Sequence, residues 1–392
     1  MFHAISATSA LWARQLVRLM AGAVVCIPAL VSGQQSVLMD AAHWEVVDFH
    51  RWPANAPGSE FKETNGRKVL RVFSGVATVR DLQFQDGILE ADVSPDPRGA
   101  FFGLAFRIEN SRNFELIYFR PASSGTREAV QYAPVLNGAL TWQLFHGDGA
   151  QASADLAAKE WIHVKLAIAG STAILSFDDK PTLKIPRLAL GDTSGSIGFW
   201  GIFGGGSISN LTFTARPALE AAQRPASTQS ADLRQWLISP AFDVSQRNPQ
   251  LYPNTPMKWQ AIQAEADGRV ILNRYRESPE IMPTPPRKAI LGIFPGARVV
   301  FAKTTIQSDR QAIRPMWIGY SDEAVVFING KPIFNGKNAW RFRDEGNSAG
   351  LMDYNDRVFL PLEKGKNEIL IAVTEFMGGW GFQCRLEDVV PE

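Results

Sequence analysis

Three groups of side chains in this chain have types and spacings that chemistry can use. The first is Glu90-Ala91-Asp92. In a strand, residues two apart share a face, so these carboxylates point the same way. Retaining hydrolysis of a glycoside needs an acid and a nucleophile at close separation, which the strand pattern Glu-x-Asp-x-x-Glu supplies. Here Pro95 stands where the last Glu belongs and Asp96 comes one residue too late for the pattern, so the pair reads as the polar outer side of its strand. The second group runs from 101 to 142. Gly103, Ala105 and Arg107 share one face and Phe102, Leu104, Phe106 and Ile108 the other, while Tyr118, Arg120, Gln131, Tyr132, Asn137 and Trp142 follow. Saccharides are held by a stacked aromatic ring together with planar guanidinium and amide groups that read neighbouring hydroxyls. This set has that chemistry, with Gly103 and Ala105 of the strand leaving room above it. The bland alternative is a sheet whose polar side is Arg and Tyr and whose core holds Trp142. The third group lies near the end of the chain. Trp340 and Tyr354 flank a loop with Arg341, Arg343 and Asp344, which could complete a site at a sandwich rim, and Asp353, Asn355 and Asp356 offer oxygen ligands to a structural calcium ion. Trp380, among glycines, reads as a packing residue.

Other chemistry is poorly served. The five histidines, His3, His43, His50, His146 and His163, show no metal-ligand spacing, and there is no Cys-x-x-Cys pair. No Gly-x-Ser-x-Gly elbow is present, and Gly204-Gly205-Gly206 opens no helix, so it is a loop and not a phosphate cradle. With 40 basic and 39 acidic residues the formal net charge is +1, which leaves no electrostatic case for nucleic acid. No cofactor is expected.

The elements that position these residues are strands. Segments 68–73, 86–93, 100–108, 114–120, 161–168, 172–177, 195–201 and 207–214 alternate with period two between turn residues. Farther on, residues 320–336 contain Asn329-Gly330, a pair that takes the positive dihedrals of a tight hairpin, and residues 364–367 make a polar turn into another alternating run. An all-β fold of two antiparallel sandwiches follows. Residues 217–235, rich in Ala, Gln, Ser and Pro, read as a linker between sandwiches at 34–216 and 236–392. Arg14 and Arg18 precede an apolar run that ends in small residues at 31–33, the pattern of a cleaved signal peptide over 1–33. The run is short and broken by Pro28, whereas a membrane span needs about 20 apolar residues. The expectation is a secreted, periplasmic or envelope protein without a span in its mature form. Cleavage leaves Cys384, which alternates with Phe382 and Leu386 and points to the core.

Two resemblances accompany these readings. The runs DGILEADV, FFGLAFRI, NFELIYFRP, WIHVKLAI, AILSFDDKP, GSIGFWG and SNLTFT, over 44–214, resemble the concanavalin A-like lectin and glucanase jelly roll, with laminin G-like and 3-keto-disaccharide hydrolase domains as nearest kin. The runs SDEAVVFINGKPIF, LEKGKNEILIAV and GGWGFQCRLED, over 237–388, resemble the galactose-binding-like jelly roll of family 2 glycoside hydrolases. The first resemblance implies glycan chemistry in the first sandwich. Because the acid pair is incomplete, the leading expectation is non-catalytic glycan binding by Arg107, Tyr118, Arg120, Gln131, Tyr132, Asn137 and Trp142. One alternative is a glycoside hydrolase or lyase using Glu115 and Glu128 with Arg107 or Arg120 as charge stabilisers. Another is a structural module of a surface assembly.

Overall fold

The computed structural model describes residues 33–49, 57–95, 101–156, 160–216, 232–278, 297–343, 347 and 349–387. The signal peptide expected over 1–33 and the linker expected over 217–235 fall almost wholly outside these residues, as do Asp96 and Asp344. The described residues form antiparallel sheets with no α-helix. None of their helices is long and apolar enough to cross a membrane.

Two sheets make the first half. One has eight strands, in the spatial order Lys180–Ile185, Thr172–Phe177, Ile162–Ala169, Asp86–Pro95, Gly206–Arg216, Arg67–Val72 and Ser59–Thr64, with Gln35–Ser36 added to Gly206–Arg216. The other has nine. Its main path runs Ala139–Leu140, Val135–Leu136, Asn113–Phe119, Phe101–Asn110, Ser196–Ile202, Gly75–Val79 and Trp44–Asp48, and Val130–Tyr132 pairs with both Asn113–Phe119 and Gln151–Ala152. Alternation decides what lies between them. Leu89, Ala91 and Val93 face Ile162, Val164 and Leu166 in a core shared with Phe102, Phe119 and Phe199 from the opposite sheet, while Glu90, Asp92, His163 and Lys165 take the outer side.

The second half repeats the scheme with seven and four strands. The larger sheet runs Gln260–Gln263, Gln235–Ile238, Arg298–Ser308, Gly365–Glu375, Glu323–Ile328 and Lys331–Lys337, with Phe242–Asp243 on Arg298–Ser308. The smaller runs Arg269–Ile271, Gly381–Leu386, Ala312–Ser321 and Asp356–Leu362. Asn329 and Gly330, at φ of 49° and 81°, make the tight turn between Glu323–Ile328 and Lys331–Lys337. Cys384 is buried in the core between these sheets.

The halves pack into one compact unit. Gln143, fully buried, keys them together. Its backbone N–H donates to the Gly378 carbonyl (2.9 Å) and its carbonyl accepts from Met352 (3.0 Å). Its side chain donates to the Ala349 carbonyl (3.1 Å) and accepts from Ser321 Oγ (2.8 Å).

Candidate functional site

The outer face of the eight-stranded sheet carries a trough built by four strands. Ser94 pairs with Ser207, and Ser207 in turn with Arg71. Trp161 immediately precedes Ile162, the partner of Val93, and so stands beside Ser94. Reading across the sheet, an indole wall is followed by two short hydroxyl side chains and then a guanidinium. Two serines between two large residues leave a hollow of about 370 Å³, whose lining also includes Lys62, Thr64, Arg67 and Glu160. Arg67 lies 4.5 Å over the Trp161 ring and donates to Asp92 at 2.8 Å, so the indole wall is held in place.

Next to the trough the paired acids of the Asp86–Pro95 strand are occupied. Asp92 accepts from Arg67 and from Asn210 Nδ2 (2.8 Å), and His163 Nδ1 lies 3.1 Å away. Partial burial pushes the Asp92 carboxyl up, but the hydrogen bonds from Asn210, His163 and Arg67 outweigh it and hold the group below its ordinary range. Glu90 accepts from Gln34 (2.9 Å) and lies 3.4 Å from Lys165 Nζ. Asp92 is therefore an anion through the neutral range and is not set up as the proton donor that glycoside cleavage requires, while Glu90 is engaged by Gln34 and Lys165.

The ligand set expected on the nine-stranded sheet is divided by the structure. A β-bulge lies between Phe106 and Asn110, and Arg107 within it has φ of 49°. The bulge shifts the phase of alternation. Phe102, Leu104 and Phe106 face the core between the sheets, but Ile108 falls on the outer face with Ala105, against the expected grouping. Arg107 leaves the face of Gly103 and Ala105 altogether. Fully buried, it donates to the carbonyls of Gln85 (3.2 Å), Gly170 (2.6 Å) and Gly191 and to Asp86 (2.9 Å). It is a strut between the sheets.

Tyr118 and Gln131 do meet on the outer face, with Trp200 and Gly103 in one cross-strand row. The space above Gly103 is closed by the Tyr118 and Trp200 rings, whose centroids are 5.9 Å apart. Tyr118 donates to Gln131 (2.9 Å), and Gln131 donates to the carbonyls of Trp142 and Phe145. Both side chains are buried, and the half-buried Trp142 packs against the same apolar cluster. Arg120 lies 5.2 Å over the Phe101 ring and pairs with the exposed Glu128 at 2.8 Å. Asn137 instead donates to the Asn273 carbonyl in the second half (2.7 Å). The face is real, but apolar side chains fill the hollow expected there.

Tyr132 and Glu115 lie on the other side of these strands. Tyr132 donates to Glu115 (2.8 Å) and accepts from the Ala189 N–H, and the Leu190 N–H donates to Glu115 (2.7 Å). Burial pushes the Glu115 carboxyl up, against the lowering effect of the Leu190 and Tyr132 hydrogen bonds. Glu115, buried, and Glu128, exposed on Arg120, do not form an acid pair. Glu115→Gln is expected to cost about 1–2 kcal/mol in urea unfolding, because one of its two acceptors is lost, and to leave saccharide affinity unchanged. Calorimetric affinity altered tenfold at unchanged stability would instead make Glu115 a site residue.

The rim residues of the second half are similarly engaged. Arg341 stacks on Trp340 (4.3 Å), and Arg343 holds Asp356 and donates to Tyr320 (3.0 Å). Tyr354 donates to Asp232 (3.1 Å) beneath Arg385. Of the groups expected as oxygen ligands, Asp356 accepts from Arg343 and Tyr320, and the Asn355 Oδ1 accepts from the Asp353 N–H (2.9 Å). Among the described residues no cluster of three or more His, Cys, Asp or Glu is placed for a metal ion.

No family model matches the chain, and no curated protein does. Several solved structures are similar to part of the chain. A carbohydrate binding module from Bacillus subtilis is 15% identical over 44% of this chain and 92% of its own, with a TM-score of 0.31. A Bacillus licheniformis beta-glucanase is 12% identical over 47% and 99%, at 0.32. A putative glycosyl hydrolase from Parabacteroides distasonis is 15% identical over 44% and 98%, at 0.30. At such identities none of them assigns a residue of the trough.

Proposed function

We propose that this chain is a non-catalytic saccharide-binding protein, exported to the cell envelope or beyond, which takes a glycan in the trough of its first sandwich. The observation that carries this reading is the row Trp161, Ser94, Ser207, Arg71 across the eight-stranded sheet. An indole face covers the C–H side of a pyranose, the serine hydroxyls exchange hydrogen bonds with its hydroxyls, and the guanidinium bridges two neighbouring oxygens. Three cationic side chains, Lys62, Arg67 and Arg71, line the trough with Glu160, while Lys62 lies 3.4 Å from Glu60 and Arg67 is held by Asp92. The guanidinium and ammonium donors at the hollow favour sugar units bearing a carboxylate or sulfate. The second half, read as a galactose-binding-like domain joined through a linker at 217–235, supports the first without being required for this contact.

Isothermal titration of the full chain against uronate-bearing and sulfated oligosaccharides tests the reading. Trp161→Ala and Arg71→Ala are each expected to weaken binding about 10- to 100-fold, a loss of roughly 1.4–2.8 kcal/mol. Raising the salt from 50 to 300 mM should weaken the wild type as well. Wild-type protein that binds no polysaccharide in such a panel, or variants that bind as tightly as wild type, would falsify it.

A further inference from the structure

A second hollow, of about 380 Å³, opens where the two halves meet. Its floor is apolar, with Tyr132 and Phe145 from the first half and Ile271 and Met352 from the second. Its rim alternates donors and acceptors. Glu265 is held by Arg187 across the junction (3.2 Å) and by Arg274 (2.5 Å), and Arg269 pairs with Asp267 (2.7 Å) while lying 4.8 Å over the Phe145 ring. These contacts fix the charged groups before any ligand arrives, which lowers the ordering cost of binding.

The charge pattern differs from that of the trough. Three arginines stand against four carboxylates, Asp148, Glu265, Asp267 and Asp353. An anion gains nothing from such a lining and a cation little, because the carboxylates are mostly paired already. A neutral molecule that both donates and accepts hydrogen bonds, with an apolar edge for Tyr132, Ile271 and Met352 beside the Phe145 ring that Arg269 covers, matches this lining. The volume lies at the lower end of the roughly 300–1,000 Å³ range of small-molecule sites. We propose that this junction cleft is a second ligand site, specific for a neutral hexose unit, so that one chain carries an acidic-sugar site and a neutral-sugar site with different linings.

The test uses the full chain, titrated with cellotetraose, laminaritetraose and mannotetraose as neutral probes and with an oligogalacturonate as the acidic one. At least one neutral probe is expected to bind wild type and Trp161→Ala equally, and to bind Arg187→Ala and Asp267→Asn about tenfold more weakly. Arg187 and Asp267 are about half exposed at the rim, so both variants should fold, and unchanged thermal melts check that. The proposal is overturned if no neutral probe binds wild type, if neutral binding disappears with Trp161→Ala, or if both rim variants keep full affinity. Neutral-probe binding as expected, with no binding of the oligogalacturonate or of any other uronate-bearing or sulfated oligosaccharide, would sink the trough reading and leave the cleft standing.

Discussion

Arg107→Ala is expected to destabilise the fold by about 3–5 kcal/mol, seen as a lower urea midpoint and a melting temperature reduced by on the order of 10 °C. Arg107 is fully buried and offers its guanidinium to three carbonyls and the buried Asp86 carboxylate. Truncation removes those donors and leaves Asp86 without its guanidinium, so the loss is much larger than for an exposed ion pair of the same length. Arg107→Lys keeps a charge but loses the planar fork that reaches several acceptors at once, and is expected to recover only part of the stability. Saccharide affinity should be unchanged in whatever fraction of either variant folds. An Arg107→Ala protein with wild-type stability and no saccharide binding would restore the residue to the ligand site and refute the strut.

The contrast between Arg107 and Arg71 shows what could be read from the chain and what could not. Period two located eight strands of the first half, with ends within a few residues of those observed, and separated Leu89, Ala91 and Val93 from Glu90 and Asp92, but it left out Trp44–Asp48, Ser59–Thr64, Gly75–Val79 and Lys180–Ile185, which also belong to the two sheets. Asn329-Gly330 marked its hairpin because only residues at ease with positive φ turn so tightly. Arg107 carries no such local sign. A bulge is set by the partner strand's register, and an arginine at positive φ inside an alternating run looks like any other outward residue. Whether a face is open is equally a tertiary property, since Trp200 and Tyr118 close the space over Gly103 from separate strands. The trough was hidden for the same reason. Arg71, Ser94, Trp161 and Ser207 lie on or beside four strands that were each recognisable, but sheet order brings them together, and period two says nothing of order. The outward positions of each strand, collected side by side, were the available signal. Gln143, which joins the halves, sits in a loop with no pattern to mark it.

Alkaline pH is expected to weaken the junction that Gln143 makes, through two buried acids beneath it. Asp322 is fully buried and accepts from the N–H groups of Phe376 (2.6 Å) and Met377 (3.0 Å). Burial pushes its carboxyl up to about 8, against those hydrogen bonds and with help from the charge of Glu375. Burial likewise pushes Glu375 up to about 7, while Ser278, Asn273 and the charge of Arg298 pull the other way. Both groups hold their protons to higher pH in the folded chain than in the unfolded one, where they titrate near 4. Between about pH 4 and 8 the folded state therefore binds more protons, and stability must fall as pH rises through that window. At about 1.4 kcal/mol per pKa unit, Asp322 alone accounts for on the order of 5 kcal/mol across it. Asp322→Asn keeps an acceptor for Phe376 and Met377 without the ionisation, so its unfolding free energy should change less between pH 5 and 9 and exceed that of the wild type at pH 9. Denaturant unfolding at each half pH unit measures both slopes. A wild-type stability that climbs from pH 5 to 8, or a variant with the same slope as wild type, would show that these two acids do not set the pH response of the junction.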